Sequence, residues 1–272
     1  MKFPYHGVDL LFETCRYPLP VQIGPMAQVG ATAPGALAGT LAQENAEILA
    51  GVVLVQLINP GTPICYGGIP HAFDMKTTQM IFAGPEQALM AVAMTQMGKR
   101  YGLPVYINVG LTDSKTVDAQ AGLEAGITLA LGALSGADIF GHLGISGVDQ
   151  ASSLTMLMMQ HELIGYIERL MKGIEVSDET LAVDVIAAAA PEGTFLSEMH
   201  TVEHFRKELW FPELLDRQFW QAWRESGAKD MMSRCIEKKN EILAEHIPTP
   251  LSKETEKDID KILQSARRNL GA

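Results

Sequence analysis

The stretch 104–122, PVYINVGLTDSKTVDAQAG, decides the fold class of this 272-residue chain. It begins as a short apolar run, breaks at Gly110, and passes through the polar residues from Thr112 to Lys115 into a helical run. A strand that leads through a short loop into a helix is one unit of a parallel β/α structure. The polar residues fit two interpretations: an N-terminal helix cap, where an acidic side chain is favoured by the helix dipole, or a reaction site.

The same pattern recurs on both sides of this stretch. VQIG (21–24), PICYGG (63–68) and ADIFGHLG (137–144) are short apolar runs, and a helical run follows each one. These strand-like runs contain or end at four glycines: Gly24, Gly67, Gly110 and Gly144. Right-handed crossovers would bring the carboxyl ends of all these strands to one rim. Because no GxGxxG motif opens a helix, the pattern favours a TIM-type (β/α)8 barrel over a dinucleotide-binding sheet.

The number of units is too small for a closed barrel. Eight are needed, whereas the chain offers four, with GTFLS (193–197) as a candidate fifth strand. The sequence therefore predicts an α/β chain forming about the C-terminal half of a TIM-type (β/α)8 barrel plus a C-terminal helical cap. We expect residues 1–198 to form the barrel portion and residues 199–272 to form a helical region that packs on it.

A lone half-barrel would leave sheet edges open, and open edges promote association. We therefore expect an N-terminal barrel half or a second copy of the chain as a partner. Whether the chain is a fragment, a split-gene product or complete is left open by the sequence.

Composition narrows the class of protein. Hydrophobic residues make up 47% of the chain and charged residues 19%, which allows a substantial core. The formal net charge of −11 argues against a nucleic-acid-binding groove. The three cysteines, Cys15, Cys65 and Cys235, are too far apart for a disulfide framework or a CxxC metal site, and we expect them to be buried. No signal peptide is visible, and the longest apolar stretch, 50–58, falls short of the roughly 20 residues that span a bilayer. A soluble, cytoplasmic protein is expected.

Four blocks of the sequence, in order, resemble the trimethylamine methyltransferase family. They are the segment 18–67 that begins PLPVQIGPMAQVG, GLTDSKTVDAQAG (110–122), RLMKGIEVSDETLAVDVI (169–186) and HTVEHFRKELWFPELLDR (200–217). The resemblance implies an enzyme that moves a methyl group from a methylated amine to the Co(I) of a corrinoid (cobalamin) carried by a partner protein. It also implies a TIM barrel nearly twice this length, of which the chain resembles the C-terminal half. Because the sequence contains no pyrrolysine, it is most similar to the branch that includes glycine betaine methyltransferases.

This chemistry sets what the chain should supply. A quaternary ammonium leaves as a neutral amine, so no general acid is required, and the protein acts by positioning the substrate. The corrinoid does the difficult chemistry. A pocket for such a substrate needs aromatic faces for the cation, an acidic group, and hydrogen-bond donors for any carboxylate.

Five residues are candidates for binding the substrate. Tyr66 ends the second strand, although it could equally be a packed strand aromatic. Phe73 and Asp74 follow in a loop, where binding residues are common, although they could be a loop anchor and a helix N-cap. Asn108 lies two residues before the break at Gly110, so its side chain could point into the barrel mouth. His200 belongs to the last family block, which implies a role without indicating which.

Three residues are candidates for catalysis: Asp113, Lys115 and His142. Asp113 and Lys115 lie in the polar segment after the third strand, and His142 ends the fourth strand between glycines, where a purely structural histidine is the alternative. His200 and His204 would share one helix face, but no third ligand has a matching spacing, so we expect no metal site. Met156, Met158 and Met159 are expected to pack in the core.

Two other functions remain as alternatives. A TIM-barrel lyase could use Lys115 as a Schiff-base amine if that lysine were desolvated. A truncated or inactive half could serve only as an assembly subunit for a corrinoid protein.

Overall fold

The computed structural model describes residues 2–191 and 193–270. The helices are α1 (Tyr5–Thr14), α2 (Leu37–Ile58), α3 (Pro85–Arg100), α4 (Ala119–Ser135), α5 (Leu154–Met171), α6 (Asp178–Leu181), α7 (Val183–Ala189), α8 (Met199–Glu208), α9 (Trp220–Glu225), α10 (Met231–Glu245) and α11 (Lys253–Leu270). The strands are β1 (Val21–Ile23), β2 (Ile64–Tyr66), β3 (Ala72–Asp74), β4 (Gln79–Ile81), β5 (Tyr106–Asn108), β6 (Ile139–Gly141), β7 (Ile145–Ser146) and β8 (Ala151–Ser152).

The four predicted strands, β1, β2, β5 and β6, are parallel and follow the chain order in space. β1 pairs with β2 and β5 pairs with β6, both in parallel. A parallel bridge between Tyr66 and Val105, with the Tyr66 amide 2.8 Å from the Pro104 carbonyl oxygen, connects the two pairs. The strand order does not reverse, as it would in a doubly wound sheet. The prediction of consecutive parallel β/α units is therefore confirmed.

The barrel itself is not confirmed. Each sheet of the described chain has two strands, and none closes into a barrel. The candidate fifth strand at 193–197 is wrong, because the described residues there are turns and coil; GTFLS has no apolar run long enough to pair. The antiparallel hairpins β3–β4 and β7–β8 are not predicted by the sequence pattern, and they interrupt the β/α pattern.

The core lies between the parallel strands and their helices. Val105, Ile107 and Val109 alternate along β5 and its ends, and all three are buried in the main apolar cluster. Glycines let the helices approach closely: a Cβ on Gly98 of α3 would lie 2.4 Å from Val105 Cγ2, and one on Gly132 of α4 would lie 2.9 Å from Ile107 Cδ1. The small residues in these helices are therefore required by the close approach of helix and strand.

Helix α2 is the one described helix that is long and apolar enough to cross a membrane by length and composition. Core helices of soluble proteins meet the same criterion, so this is weak evidence. One face of α2 is buried, and that face includes the carboxylate Glu44 as well as Ile48 and Val55.

The chain divides into two compact units, Met1–Ile236 and Glu237–Ala272. In the first unit, Met156 and Met159 pack with Leu214 and Cys235, which confirms the core role expected for these methionines. Cys15, Cys65 and Cys235 are all free and buried, as expected. Residues 199–236 fall in the first unit, while the proposed boundary between barrel portion and helical region after residue 198 stays a prediction.

Candidate functional site

The candidate site lies at the carboxyl ends of β5 and β6, on the face of β5 that does not meet the helices. Side chains alternate along a strand, so Tyr106 and Asn108 share the face opposite Ile107. Tyr106 Oη is 3.2 Å from Asn108 Oδ1 and 2.9 Å from His142 Nδ1. Both contacts are satisfied when His142 Nδ1 carries a proton and donates to the hydroxyl, which in turn donates to Asn108. That tautomer leaves His142 Nε2 as an acceptor.

His142 is held in an uncommon backbone conformation. Its φ is 69°, in the left-handed region that non-glycine residues rarely occupy. Such strain persists only where the surroundings enforce it, and it is concentrated at functional sites. Here Tyr106 and Phe82 hold the ring, since both lie edge-on to it with centroids 6.3 and 6.4 Å away.

Phe82 connects His142 to a second histidine. Its ring stacks on His71 with centroids 4.5 Å apart and planes 19° apart. His71 Nδ1 is 2.6 Å from the Ile69 carbonyl oxygen, so Nδ1 carries the ring proton and Nε2 is an acceptor. Burial lowers the pKa of His71 to about 4. The ring is therefore neutral at pH 7.

Three fully buried polar atoms in this region have no hydrogen-bond partner among the described residues: His71 Nε2, Gln87 Oε1 and Asn108 Nδ2. The amide nitrogen of Gln87 donates to the Asn108 carbonyl oxygen, which fixes Gln87 Oε1 as the free acceptor. Buried polar groups are normally paired. Here, unpaired buried polar atoms lie close together and are connected by the side chains of Tyr106, His142 and Phe82. This is the feature that most clearly indicates a site in this region. We call His71, Phe82, Gln87, Tyr106, Asn108 and His142 the rim cluster.

The polar segment after β5 supports the rim cluster. Asp113 Oδ1 accepts from the Phe82 amide at 3.0 Å, and burial raises the pKa of the Asp113 carboxyl. Glu124 of α4 accepts from Thr112 Oγ1 at 2.7 Å and from the Asp113 amide at 2.8 Å. The segment is thus a loop that the Glu124 carboxylate holds in place, and through Asp113 it fixes the backbone of Phe82.

The cap interpretation of Thr112–Ser114 is wrong. Helix α4 begins only at Ala119, and its cap is Asp118, whose Oδ1 accepts from the Ala121 amide at 2.9 Å. The physical reason is that the carboxylate of Glu124, and not the helix end, satisfies the donors of the polar segment.

A buried carboxylate joins the loops that follow β1 and β2. Glu44 Oε2 accepts from the Ala27 amide at 2.8 Å, and Oε1 accepts from the Ile69 amide at 2.9 Å. Burial raises the pKa of Glu44 to about 7. Because Ile69 also contacts His71, Glu44 fixes the backbone that carries this part of the rim cluster.

The structure brings together three of the predicted site residues. Asn108 and His142 belong to the rim cluster, and Asp113 touches it through the Phe82 amide. Their roles in binding or catalysis stay predictions.

Lys115 and Tyr66 lie outside the cluster. Lys115 is exposed, and its Nζ donates to the Asp113 carbonyl oxygen at 2.7 Å, so it lacks the desolvation that a Schiff-base lysine needs. Tyr66 is fully buried in the main apolar cluster, where its hydroxyl donates to Asn45 Oδ1 at 2.9 Å, which matches the packing alternative.

Phe73, Asp74 and His200 also lie outside the cluster. Phe73 and Asp74 are on β3, and Asp74 accepts from the Lys76 amide at 2.8 Å and from Thr77 Oγ1 at 2.6 Å. Asp74 thus closes a hairpin turn and caps no helix.

His200 is on α8. Its ring stacks on His204 at 4.0 Å, and its Nε2 is 3.1 Å from the Glu179 carbonyl oxygen. No group of three or more side chains able to hold a metal occurs within 2–191 and 193–270.

Tyr106 and Gln87 are not predicted by the sequence, and His71 and Phe82, which lie in or near the loop after the second strand, are not among the predicted site residues. Tyr106 could have been found, because it shares a strand face with Asn108 by the period of two. Gln87 gave no such signal, since a glutamine in the first turns of a helix is ordinary. His71 and Phe82 meet only because the unpredicted β3–β4 hairpin folds back.

Comparisons with known proteins extend over nearly the whole chain. The family model described as trimethylamine methyltransferase (MTTB) matches residues 1–271. The glycine betaine methyltransferase of Desulfitobacterium hafniense strain Y51 is 35% identical over 92% of this chain and 52% of that protein. The trimethylamine methyltransferase MttB of Methanosarcina barkeri strain Fusaro is 34% identical over 98% of this chain and 54% of its own length. The chain thus spans about half the length of the curated relatives it matches.

Proposed function

The chain belongs to the trimethylamine methyltransferase family, and from this we propose that it moves a methyl group from a quaternary or tertiary amine to the Co(I) of a corrinoid protein. The relatives are named for glycine betaine and trimethylamine, which suggests a substrate of one of these types. The observation that carries the proposal is the rim cluster, in which aromatic rings and unpaired neutral polar atoms lie together at the ends of parallel strands.

The chemistry of the rim cluster suits a methylated ammonium. The partner's corrinoid would supply the nucleophile that accepts the methyl group. The rings of Phe82 and Tyr106 can stabilise a cation through their faces, and no lysine or arginine belongs to the cluster to repel one. The Asn108 amide nitrogen is a donor for a substrate carboxylate. Fixing the substrate's orientation is the contribution that we assign to these residues.

We also propose that a second β/α half completes a TIM-type barrel around this site. Within the described chain, β1 pairs only with β2 and β6 only with β5, so one edge of each is open. Parallel sheets are normally covered on both faces, whereas Ile139 of β6 is 46% exposed. Beside β1, an apolar groove of about 520 Å³ lies between α1 and α2. An N-terminal barrel half, or a second copy of the chain, would cover these surfaces.

A methyl-transfer assay tests the proposal. The purified chain, with and without a separately expressed N-terminal half of a relative, would be incubated with reduced cobalamin and a panel of glycine betaine, trimethylamine, carnitine and proline betaine. We expect cobalamin to become methylated, which its absorbance spectrum reports. We also expect the matching demethylated amine, detected by mass spectrometry. His142→Ala should abolish it, while His161→Ala, an exposed histidine on α5, should not. Absence of transfer from every amine, with both halves present, would contradict the proposal.

The same assay distinguishes the alternative of an inactive assembly subunit. In that case the chain would bind a corrinoid protein without demethylating any amine. The lyase alternative predicts borohydride trapping of a carbonyl substrate on Lys115, which the exposure of that lysine disfavours.

A further inference from the structure

Helix α11 carries an apolar stripe that is largely exposed among the described residues. Ile259, Leu263, Ala266 and Leu270 recur at intervals of four, three and four residues, which is the spacing of a coiled-coil seam. Ile259 is 41% exposed, Leu263 50% and Leu270 81%. A helix with this pattern is normally stabilised by packing its apolar face against a partner.

We propose that α11 pairs in antiparallel orientation with α11 of a second copy of the chain. The spacing of the four stripe residues (four, three and four) is the same in both chain directions. A two-fold axis between Leu263 and Ala266 therefore sets Ile259 opposite Leu270 of the second copy, and Leu263 opposite its Ala266. A self-complementary surface of this kind is what a two-fold interface requires.

The charges beside the stripe select this orientation. Asp260 and Arg267 each follow a seam residue on the same side, and positions of this kind face each other across an antiparallel pair. The antiparallel arrangement therefore brings Asp260 of each copy to Arg267 of the other. A parallel pair in register would instead set these charges beside Thr255 and Ile262, which are uncharged. The opposed helix dipoles also favour the antiparallel pair.

The composition of α11 disfavours a membrane surface as the occupant of the stripe. Interfacial helices have a polar face dominated by lysine and arginine, whereas α11 mixes both signs: Glu254, Glu256, Asp258 and Asp260 alternate with Lys253, Lys257 and Lys261, and Arg267 and Arg268 follow. The inference is independent of the proposed methyl transfer, since it concerns only the second compact unit.

Sedimentation equilibrium of the full chain over a range of concentrations tests the pairing. Leu263→Asp should raise the dimer dissociation constant at least about tenfold, because it puts a charge in the seam. Gln264→Asp makes the same charge change one residue outside the seam and should leave the constant within about threefold of wild type. Equal behaviour of the two variants and wild type would overturn the proposal.

A charge exchange keeps the test decisive if Leu263→Asp simply melts α11. Asp260→Arg and Arg267→Asp should each weaken the dimer about three- to tenfold, and the double variant should recover wild-type affinity. A double variant no better than the single ones would refute the antiparallel register. Recovery cannot come from association through the open sheet, because exchanging two charges of α11 restores only ion pairs in which α11 takes part.

Discussion

The two faces of β5 differ in the polarity of the side chains that they bury. On one face, Val105, Ile107 and Val109 are buried against helices and contain no polar side-chain atom. On the other, Tyr106 and Asn108 belong to a network with unpaired buried polar atoms. One strand therefore carries the core on alternate residues and the candidate site on the residues between them. This separation predicts that substitutions on the two faces act on different quantities, stability or activity.

The largest effect is expected on the helix-facing side. Ile107→Ala should lower the free energy of unfolding by about 2–5 kcal/mol, because it removes buried methylenes and leaves a cavity. Chemical denaturation followed by circular dichroism measures the change. Ile127→Ala, on the exposed face of α4 (50% exposed), is the matched control and should change it by less than about 0.5 kcal/mol. Equal losses in both variants would mean that β5 does not anchor the core.

The second largest effect on stability concerns the face of β5 that carries the rim cluster. It tests whether water is excluded from that face, as the buried contacts of His71 indicate. Burial lowers the pKa of His71 to about 4, below the ordinary value of 6.5. The unfolded chain then binds more protons between these values, so the stability from the neutral ring is complete above pH 6.5 and is lost as the pH falls toward 4. We expect this contribution to reach about 3 kcal/mol, measured against pH as the difference in unfolding free energy between wild type and His71→Phe.

His71→Phe should remove that loss while keeping the stacking on Phe82. Glu44 acts in the opposite sense over nearly the same pH range, and the difference between wild type and His71→Phe removes its contribution. Its pKa is raised from 4.5 to about 7, so its contribution is complete below pH 4.5 and is lost as the pH rises toward 7. If His71→Phe leaves the acid side of the profile unchanged, the His71 ring is solvated and the site is open to water.

A smaller effect on stability distinguishes a glycine at a close helix–strand contact from a glycine with open space around it. Gly98→Ala would place a Cβ 2.4 Å from Val105 Cγ2 and should cost about 1–3 kcal/mol. Gly126→Ala in α4 meets nothing within 4 Å and should instead stabilise by up to about 1 kcal/mol, because alanine favours helix. Thermal melts of the two variants should therefore move in opposite directions. A shift of both in the same direction would contradict the close helix–strand approach.

The features that could be predicted from the sequence are those that depend on local patterns, such as the alternation along β5. The parallel units and the buried methionines follow from local patterns of apolar residues, glycines and spacing, and these were predicted correctly. Asn108 and His142 were predicted because strand ends can be located by the same patterns. The hairpin that brings His71 onto Phe82 depends on pairing between residues that no local pattern relates. Glu124, which holds the polar segment from the next helix, likewise acts across the fold, so the sequence leaves that segment open between a helix cap and a reaction site.

The smallest effect on stability should accompany a clear effect on activity. Tyr106→Phe removes one hydroxyl and keeps the ring, so the unfolding free energy should fall by only about 0.5–1.5 kcal/mol. The same change releases His142 from its 2.9 Å contact, and orientation at the rim cluster is the role proposed for these residues. We therefore expect at least about a tenfold loss in the rate of methyl transfer at a temperature where the variant remains folded. Tyr101→Phe, which removes a hydroxyl that accepts from Asn45 Nδ2 at 3.2 Å, should leave that rate unchanged. Because both variants lose one hydroxyl, equal rates would place the chemistry elsewhere than on the polar face of β5.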